Sequence, residues 1–388
     1  MADEKPKANI ILATVEYLDK TYNFRHNEIN NKIECKLLKS HQWEELNENN
    51  IFIELHKKWI RITMSSLISL LKSDYVPKYN PFLNYFENLD RWKKNEVDHI
   101  KKLSQYVILE DRERFDVQFK KMLVRVVACS LDENVFNKQA FIFTQEKQNG
   151  GKTSFSRFLV PPALKDYFAE NIGTDKDSRI ALCENFIINL DELARLHKND
   201  INALKSVFSS QSEKVRRPYD RRAERLTRRA SFIGSTNSLE FLTDETGSVR
   251  WLCFVIDKIN WDYAKEVDIN KVWAQAYSLY KSGFEYQLTL EEIEENNDIN
   301  AAHNIITSEM ELIQLYLEPA TIDQYDEFWN SSQIMQYLMA KTEKAIPLNA
   351  VTIGKALKIL GFQREQKLQG KYQIKGYYLS YLLGNTEN

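Results

Sequence analysis

Glycine and proline are scarce, at 11 and 8 residues in 388, so linkers do not announce the domain boundaries. These have to be found from changes of pattern. Cysteine is rarer still: Cys35, Cys129, Cys183 and Cys253 lie far apart with no C-x-x-C pair, and the 6 histidines follow no ligand spacing. That argues against a zinc site or a disulfide framework and suits a reducing compartment. No apolar run approaches the roughly 18 residues of a membrane span, and the charged first eight residues lack the apolar stretch of a signal sequence. A cytoplasmic protein with no membrane partner is expected. Charge of one sign is not in excess either, since 53 Lys and Arg face 55 Asp and Glu for a net of −2. Taken alone, that balance argues against a polybasic nucleic-acid binder.

What is present is a foldable chain, 43 % hydrophobic and 12 % aromatic. Its length predicts two or three domains with cores of their own. Residues 1–75 read as a mixed α/β region. The Pro- and aromatic-rich stretch from Val76 to Phe86 then punctuates the chain. From 76 to 137 a helical, collar-like region is expected, because Leu103, Val107, Phe115, Phe119, Met122 and Val126 recur at helical spacing among charges. Short apolar runs beginning at Ala140, Phe186, Ser231 and Trp251 alternate with helical patterns, which predicts an α/β domain with a largely parallel sheet over 138–282. The acidic 283–325 segment, with Glu291, Glu292, Glu294 and Glu295, reads as a helical linker. Residues 326–388 read as helix, helix and two strands around Gln369-Gly370-Lys371, the order of a winged-helix-like domain.

Directly after the run Phe141-Ile-Phe-Thr144 comes Glu146-Lys-Gln-Asn-Gly-Gly151-Lys152-Thr153-Ser154. It follows the phosphate-binding (P-loop) consensus G-x-x-x-x-G-K-[ST], except that Glu146 takes the first glycine position. Gly150 and Gly151 let the backbone approach a phosphate closely, and Asn149 tolerates a positive φ. Lys152 would reach the β- and γ-phosphates of ATP, with the Thr153 hydroxyl on Mg2+ and Ser154 beside it. The competing reading is a Gly-Gly turn at the start of an ordinary helix. About forty residues on, Phe186-Ile-Ile-Asn-Leu-Asp191-Glu192 is an apolar strand ending in two carboxylates. Asp191 can serve the metal and Glu192 can polarise the attacking water, although Asp-Glu at a helix start is also a common cap. A third apolar run ends in Gly234-Ser-Thr-Asn237, where the Asn237 amide can orient that water.

These segments, with Arg217-Pro-Tyr219 and Phe241 to Arg250, resemble the virulence-associated E family. That family comprises phage- and mobile-element-encoded ATPases similar to superfamily 3 helicases of the AAA+ class. The resemblance covers roughly 75 to 256 and departs from the family's glycines at Glu146 and Asn149. It implies ATP hydrolysis at subunit interfaces of a homo-oligomeric, hexameric ring, with DNA in the channel. No primase segment is read, so a separate primase or single-strand-binding partner is expected. Between 214 and 229 one lysine and seven arginines face Asp220 and Glu224, a net of +6. In the related helicases this interval is a hairpin gripping DNA, which makes Lys214, Arg216, Arg217, Arg221 and Arg222 the DNA-binding candidates. A solvated face or subunit salt bridges is the alternative. Arg250 is the expected arginine finger acting in trans, with Arg228 and Arg229 as rivals. Lysines of the C-terminal module, Lys355, Lys358, Lys367, Lys371 and Lys375, would either position phosphates or face a protein.

The expected architecture is therefore an α/β P-loop NTPase (AAA+-like) core, a mostly helical N-terminal region and a C-terminal winged-helix-like domain. The expected activity is that of an ATP- and Mg2+-dependent DNA helicase acting on single-stranded or forked DNA in replication of a mobile element or phage. The alternatives are a nucleotide-binding initiator that binds DNA without unwinding it, and an ATPase that loads or remodels a replication protein.

Overall fold

The computed structural model of the chain describes residues 9–173, 175–193, 208–215, 223–242, 250–301, 303, 306–342, 346–369 and 372–382. The chain opens with the helix Ile10–Thr21, capped by the Asn9 side chain, which accepts from the amide of Ile11. Strands β1 (Tyr22–Asn27), β2 (Lys32–Leu37), β3 (Glu44–Glu45) and β4 (Lys78–Tyr79) form a sheet ordered β3-β2-β1-β4. Helices Glu48–Lys57 and Met64–Leu71 close its core around Leu18, Phe24, Leu55 and Leu67. The N-terminal region is thus α/β rather than mostly helical. Its punctuating Pro-rich stretch supplies β4, which pairs parallel to β1, and then starts the helix Pro81–Glu87 with Asn80 as cap. A proline costs nothing at a first helical position, because its missing N–H would be unpaired there anyway.

The central unit carries β5 (Val107–Ile108), β6 (Ala140–Thr144), β7 (Phe168–Glu170), β8 (Ile187–Leu190), β9 (Ser212–Val215), β10 (Glu224–Thr227), β11 (Ser231–Thr236), β12 (Trp251–Val255) and β13 (Lys258–Ile259). Five of these form a sheet ordered β12-β6-β11-β8-β7, every pair parallel. Both faces are covered, which is why β6 shows no polar alternation and is buried along its length. On one face Phe141, Phe143, Ile233 and Phe254 meet Phe115, Phe119, Phe155 and Trp273. On the other, Ile142, Phe232 and Trp251 meet Leu182, Phe208 and Phe241.

The collar-like segment and the sheet share one core. The helix Arg112–Leu131 lays Phe115, Phe119, Met122 and Val126 directly on the sheet. Val107, expected on a helix, is in β5 and pairs with Ile259 of β13. The acidic segment is docked as well. From the helix Leu290–Ala301, the Asn296 and Asn300 amides both donate to the Trp251 carbonyl, while Glu292 pairs with Lys121 at 2.8 Å.

The C-terminal core takes in Met310, Leu312 and Ile313 of the helix Ser308–Tyr316 together with Ile334, Leu338, Ile353 and Leu357 of helices Ser331–Lys341 and Ala350–Ile359. Strands β14 (Leu317–Pro319), β15 (Glu327–Trp329) and β16 (Arg364–Gln369) all pair antiparallel with β17 (Tyr372–Tyr381). Among the described residues no helix is long and apolar enough to cross a membrane.

Candidate functional site

The strand order sets the site. Because β6, β11 and β8 are neighbours and parallel, the segments that follow them open on one edge of the sheet. In α/β sheets that carboxyl edge is where ligands bind. A cavity of about 390 Å³ lies there, lined by Gly150, Gly151, Lys152, Thr153, Ser154, Asp191, Glu192 and Asn237, and also by Ser235 and Trp261.

After β6 the chain turns through Asn149 at φ 59° and Gly151 at φ 85° into the helix Lys152–Phe158. Gly151 is required by its positive φ and its surroundings, while a side chain at Gly150 would displace the end of Gln145. A Cβ on Gly150 would fall 1.7 Å from Gln145 Oε1, and one on Gly151 would come within 2.9 Å of the Trp261 ring. Lys152 is only 6 % exposed. Its Nζ donates to Asn237 Oδ1 at 2.7 Å and to the Gln145 carbonyl at 3.3 Å. Burial pushes its pKa down and the Asp191 carboxylate opposes this. The amine is therefore held by neutral oxygens in a position where phosphate oxygens could replace them. Thr153 Oγ1 donates to both Asp191 carboxylate oxygens, at 3.1 and 3.2 Å, and the Ser235 hydroxyl donates to the same carboxylate. Glu192 follows at φ 53°, a left-handed conformation that costs a non-glycine residue roughly 1–3 kcal/mol.

Among the described residues no three His, Cys, Asp or Glu side chains cluster as a metal cage. A hydroxyl beside a single carboxylate does fit Mg2+, which keeps most of its waters and is usually held by one or two carboxylates plus phosphates. Thr153 and Asp191 would hold it.

Arg250 is not in this cavity. It precedes β12, and its carbonyl accepts from the amide of Ala140 at the amino end of β6. That is the opposite edge of the sheet, about 16 Å away for a five-residue strand. Its guanidinium donates to Ser209 Oγ at 3.2 Å. The rival arginines are internal. Arg228 donates to the carbonyls of Phe208, Ser210 and Asn137, and Arg229 donates to the Ser130 carbonyl and to Glu133. Arg228 is fully buried and Arg229 is 9 % exposed, so both lie inside the fold.

Of the DNA-binding candidates, Lys214 is exposed on β9, opposite Arg225 of the antiparallel β10. Arg216, Arg217, Arg221 and Arg222 lie outside the described residues. Among the C-terminal lysines, the Lys367 amine donates to the Tyr325 hydroxyl at 2.6 Å and lies over the rings of Tyr325, Phe328 and Tyr378. Sequence reasoning missed Ser235 and Trp261. Ser235 stands in the Gly-Ser-Thr-Asn run and could have been found from strand alternation, whereas Trp261 belongs to no motif.

The fold and site define a parallel-sheet α/β protein with a polar, lysine- and carboxylate-bearing cavity at its carboxyl edge. More narrowly, the chain belongs to the virulence-associated protein E-like domain family, whose sequence model matches residues 86–305. Among solved structures, the apo C-terminal region of NrS-1 (305–718) resembles it with a TM-score of 0.51 at 12 % identity, covering 97 % of this chain and 100 % of that one. The A form of the same region gives a TM-score of 0.46 at 13 % identity over 92 % and 88 % of the two chains. At 12 % identity the first of these likenesses speaks for the fold alone. No curated protein matches the sequence.

Proposed function

We propose that the chain is a Mg2+-dependent ATPase that works as a DNA helicase in replication of a phage or mobile element, assembled as a hexameric ring in the cytoplasm. The supporting observation is the convergence of Lys152, Thr153, Asp191, Glu192 and Asn237 on one cavity at the ends of three adjacent parallel strands. In this reading the backbone around Gly150, Gly151 and Ser154 receives the phosphates, and Lys152 exchanges its carbonyl and amide partners for phosphate oxygens. Bound Mg2+ supplies charge neutralisation on the phosphoryl group in flight. Water attacks the γ-phosphorus, Glu192 accepts its proton, Asn237 orients it, and the bond to the ADP oxygen breaks. Arg250, on the far edge of the sheet, completes the site of the next subunit. Lys214, Arg216, Arg217, Arg221 and Arg222 hold the DNA backbone, so binding weakens as salt rises. The C-terminal module serves as a winged helix, and a primase or single-strand-binding protein acts alongside.

Purified protein is expected to hydrolyse ATP and to do so faster with DNA. Glu192→Gln, which removes the general base, should slow turnover by about 10²-fold or more, and Lys152→Ala should abolish it. Wild-type protein without turnover at millimolar ATP overturns this reading. Strand displacement on a forked substrate separates the helicase from its alternatives. DNA-stimulated hydrolysis without unwinding indicates an ATPase that remodels a partner, and DNA binding without hydrolysis indicates an initiator.

A further inference from the structure

Two large aromatic residues close to the site are treated differently by the fold. Trp273 is fully buried, whereas Trp261 is 54 % exposed. Exposure does not make Trp261 loose. The preceding strand β13 pairs with β5, the Asn260 amide donates to the Tyr106 carbonyl at 2.8 Å, and Asn260 Oδ1 accepts from the Asp262 amide at 3.0 Å. The indole edge rests against Gly151, with Cζ2 and Cη2 at 2.9 and 3.2 Å from where a Cβ would stand. The backbone on either side of the residue is thus held, and the ring lies against the loop that bears Lys152 with the Tyr263 ring 6.4 Å away between centroids.

The ring borders two spaces. Inside lies the 390 Å³ cavity of Lys152 and Asp191, and outside lies an open cleft of about 630 Å³ bounded by Gln145, Lys147, Asp257 and Lys258. Trp261, Gln148, Asn149 and Gly150 line both. A nucleoside triphosphate is longer than the inner cavity's phosphate-binding end, so its base must leave on one side. The side toward Asp191 and Glu192 is taken by Mg2+ and the γ-phosphate in the reading above, so the base leaves on the other side, where Trp261 offers an apolar face. We propose that the outer cleft is the nucleobase subsite and that the base stacks on Trp261 while the phosphates lie against Lys152 and Thr153. This rests on the nucleotide reading above. Every base has a π-face, so such a ring contributes affinity without reading a hydrogen-bonding edge.

The test is calorimetric titration of the full chain with MgATP and, separately, with magnesium tripolyphosphate, which has phosphates and no base. Trp261→Ala is expected to weaken MgATP about tenfold, the scale of one lost stacking contact. Tripolyphosphate binding should stay within about twofold, and Trp261→Phe should restore most of the ATP affinity. Retained tripolyphosphate binding also shows that the loop is folded in the variant. Unchanged ATP affinity in Trp261→Ala, or an equal loss for both ligands, overturns the base subsite and leaves the phosphate site standing. So does wild-type protein that binds tripolyphosphate as tightly as ATP. Wild-type protein that binds neither overturns the nucleotide reading and the subsite together.

Discussion

Two arginines of like charge, 22 residues apart in the chain, have opposite fates. Arg228 is fully buried and caps three carbonyls, which ties the start of β11 to Phe208, Ser210 and Asn137. Burial pulls its pKa down to about 10, so it keeps its charge at neutral pH. Arg250 is only half-buried and rests on a serine hydroxyl. Removing a buried, hydrogen-bonded guanidinium leaves carbonyls without donors, so Arg228→Ala should cost about 3 kcal/mol of folding stability. Arg250→Ala should cost within about 0.5 kcal/mol and yet suppress ATP turnover. Urea denaturation of both variants beside their ATPase rates checks this. A stability loss in Arg250→Ala as large as that in Arg228→Ala would make it a structural arginine too.

At the scale of elements, the helix Arg112–Leu131 serves two layers at once. Its apolar side fills the core of the sheet, while Lys121 and Arg125 reach the strap that follows the helix Ile269–Lys281. Lys121 pairs with Glu292, and Arg125 donates to the Tyr286 carbonyl at 2.8 Å. Burial by itself would raise the Glu292 carboxyl, but hydrogen bonds from Lys121, the Thr289 amide and Gln118 hold it below the ordinary glutamate value. A carboxyl whose folded pKa is depressed stabilises above its unfolded value of about 4.3 and loses that contribution as pH falls through the lower folded value. Glu292→Gln should therefore lower stability by about 2 kcal/mol near pH 7, with the gap narrowing below about pH 4. Urea midpoints across that range measure it, and a gap independent of pH would show that the pair contributes nothing through charge. The same contacts dock the acidic segment that reads in the sequence as a helical linker: Glu292 of its glutamate cluster faces the core and finds a lysine there.

At the scale of the molecule, the cavity and Arg250 lie on opposite edges of one sheet, so a single chain cannot bring them together. In a ring, each subunit would present its cavity to the far edge of the next. Mixing Arg250→Ala with Lys152→Ala subunits should then regain part of the ATPase activity that neither has alone. In each mixed ring some interfaces join an intact cavity to an intact arginine. Mixtures as inactive as the separate variants would remove Arg250 from that role. Imaging with ATP and a DNA fork tests the ring itself, and a monomer under those conditions would overturn it.

The apolar runs of β6, β8, β11 and β12 were legible in the sequence because both faces of the sheet are covered, and so was the loop from Glu146 to Thr153, because its residues are contiguous. Asn149 stands at the positive φ its side chain tolerates. Edge strand β7 and the two-residue pair of β5 and β13 were not legible, since strands of two or three residues carry too little pattern to detect. Nor could the chain announce which charged residues would be internal, because burial is a property of what packs around a residue. By itself the sequence determined which segments must be buried and which local turns they make, as both follow from side-chain chemistry at neighbouring positions. Only the tertiary structure decided that three strand ends share one edge, that Ser235 and Trp261 join them, and that Arg228 turns inward while Arg250 stays near the surface. Strand order brings together residues far apart in sequence, and no periodicity records that distance.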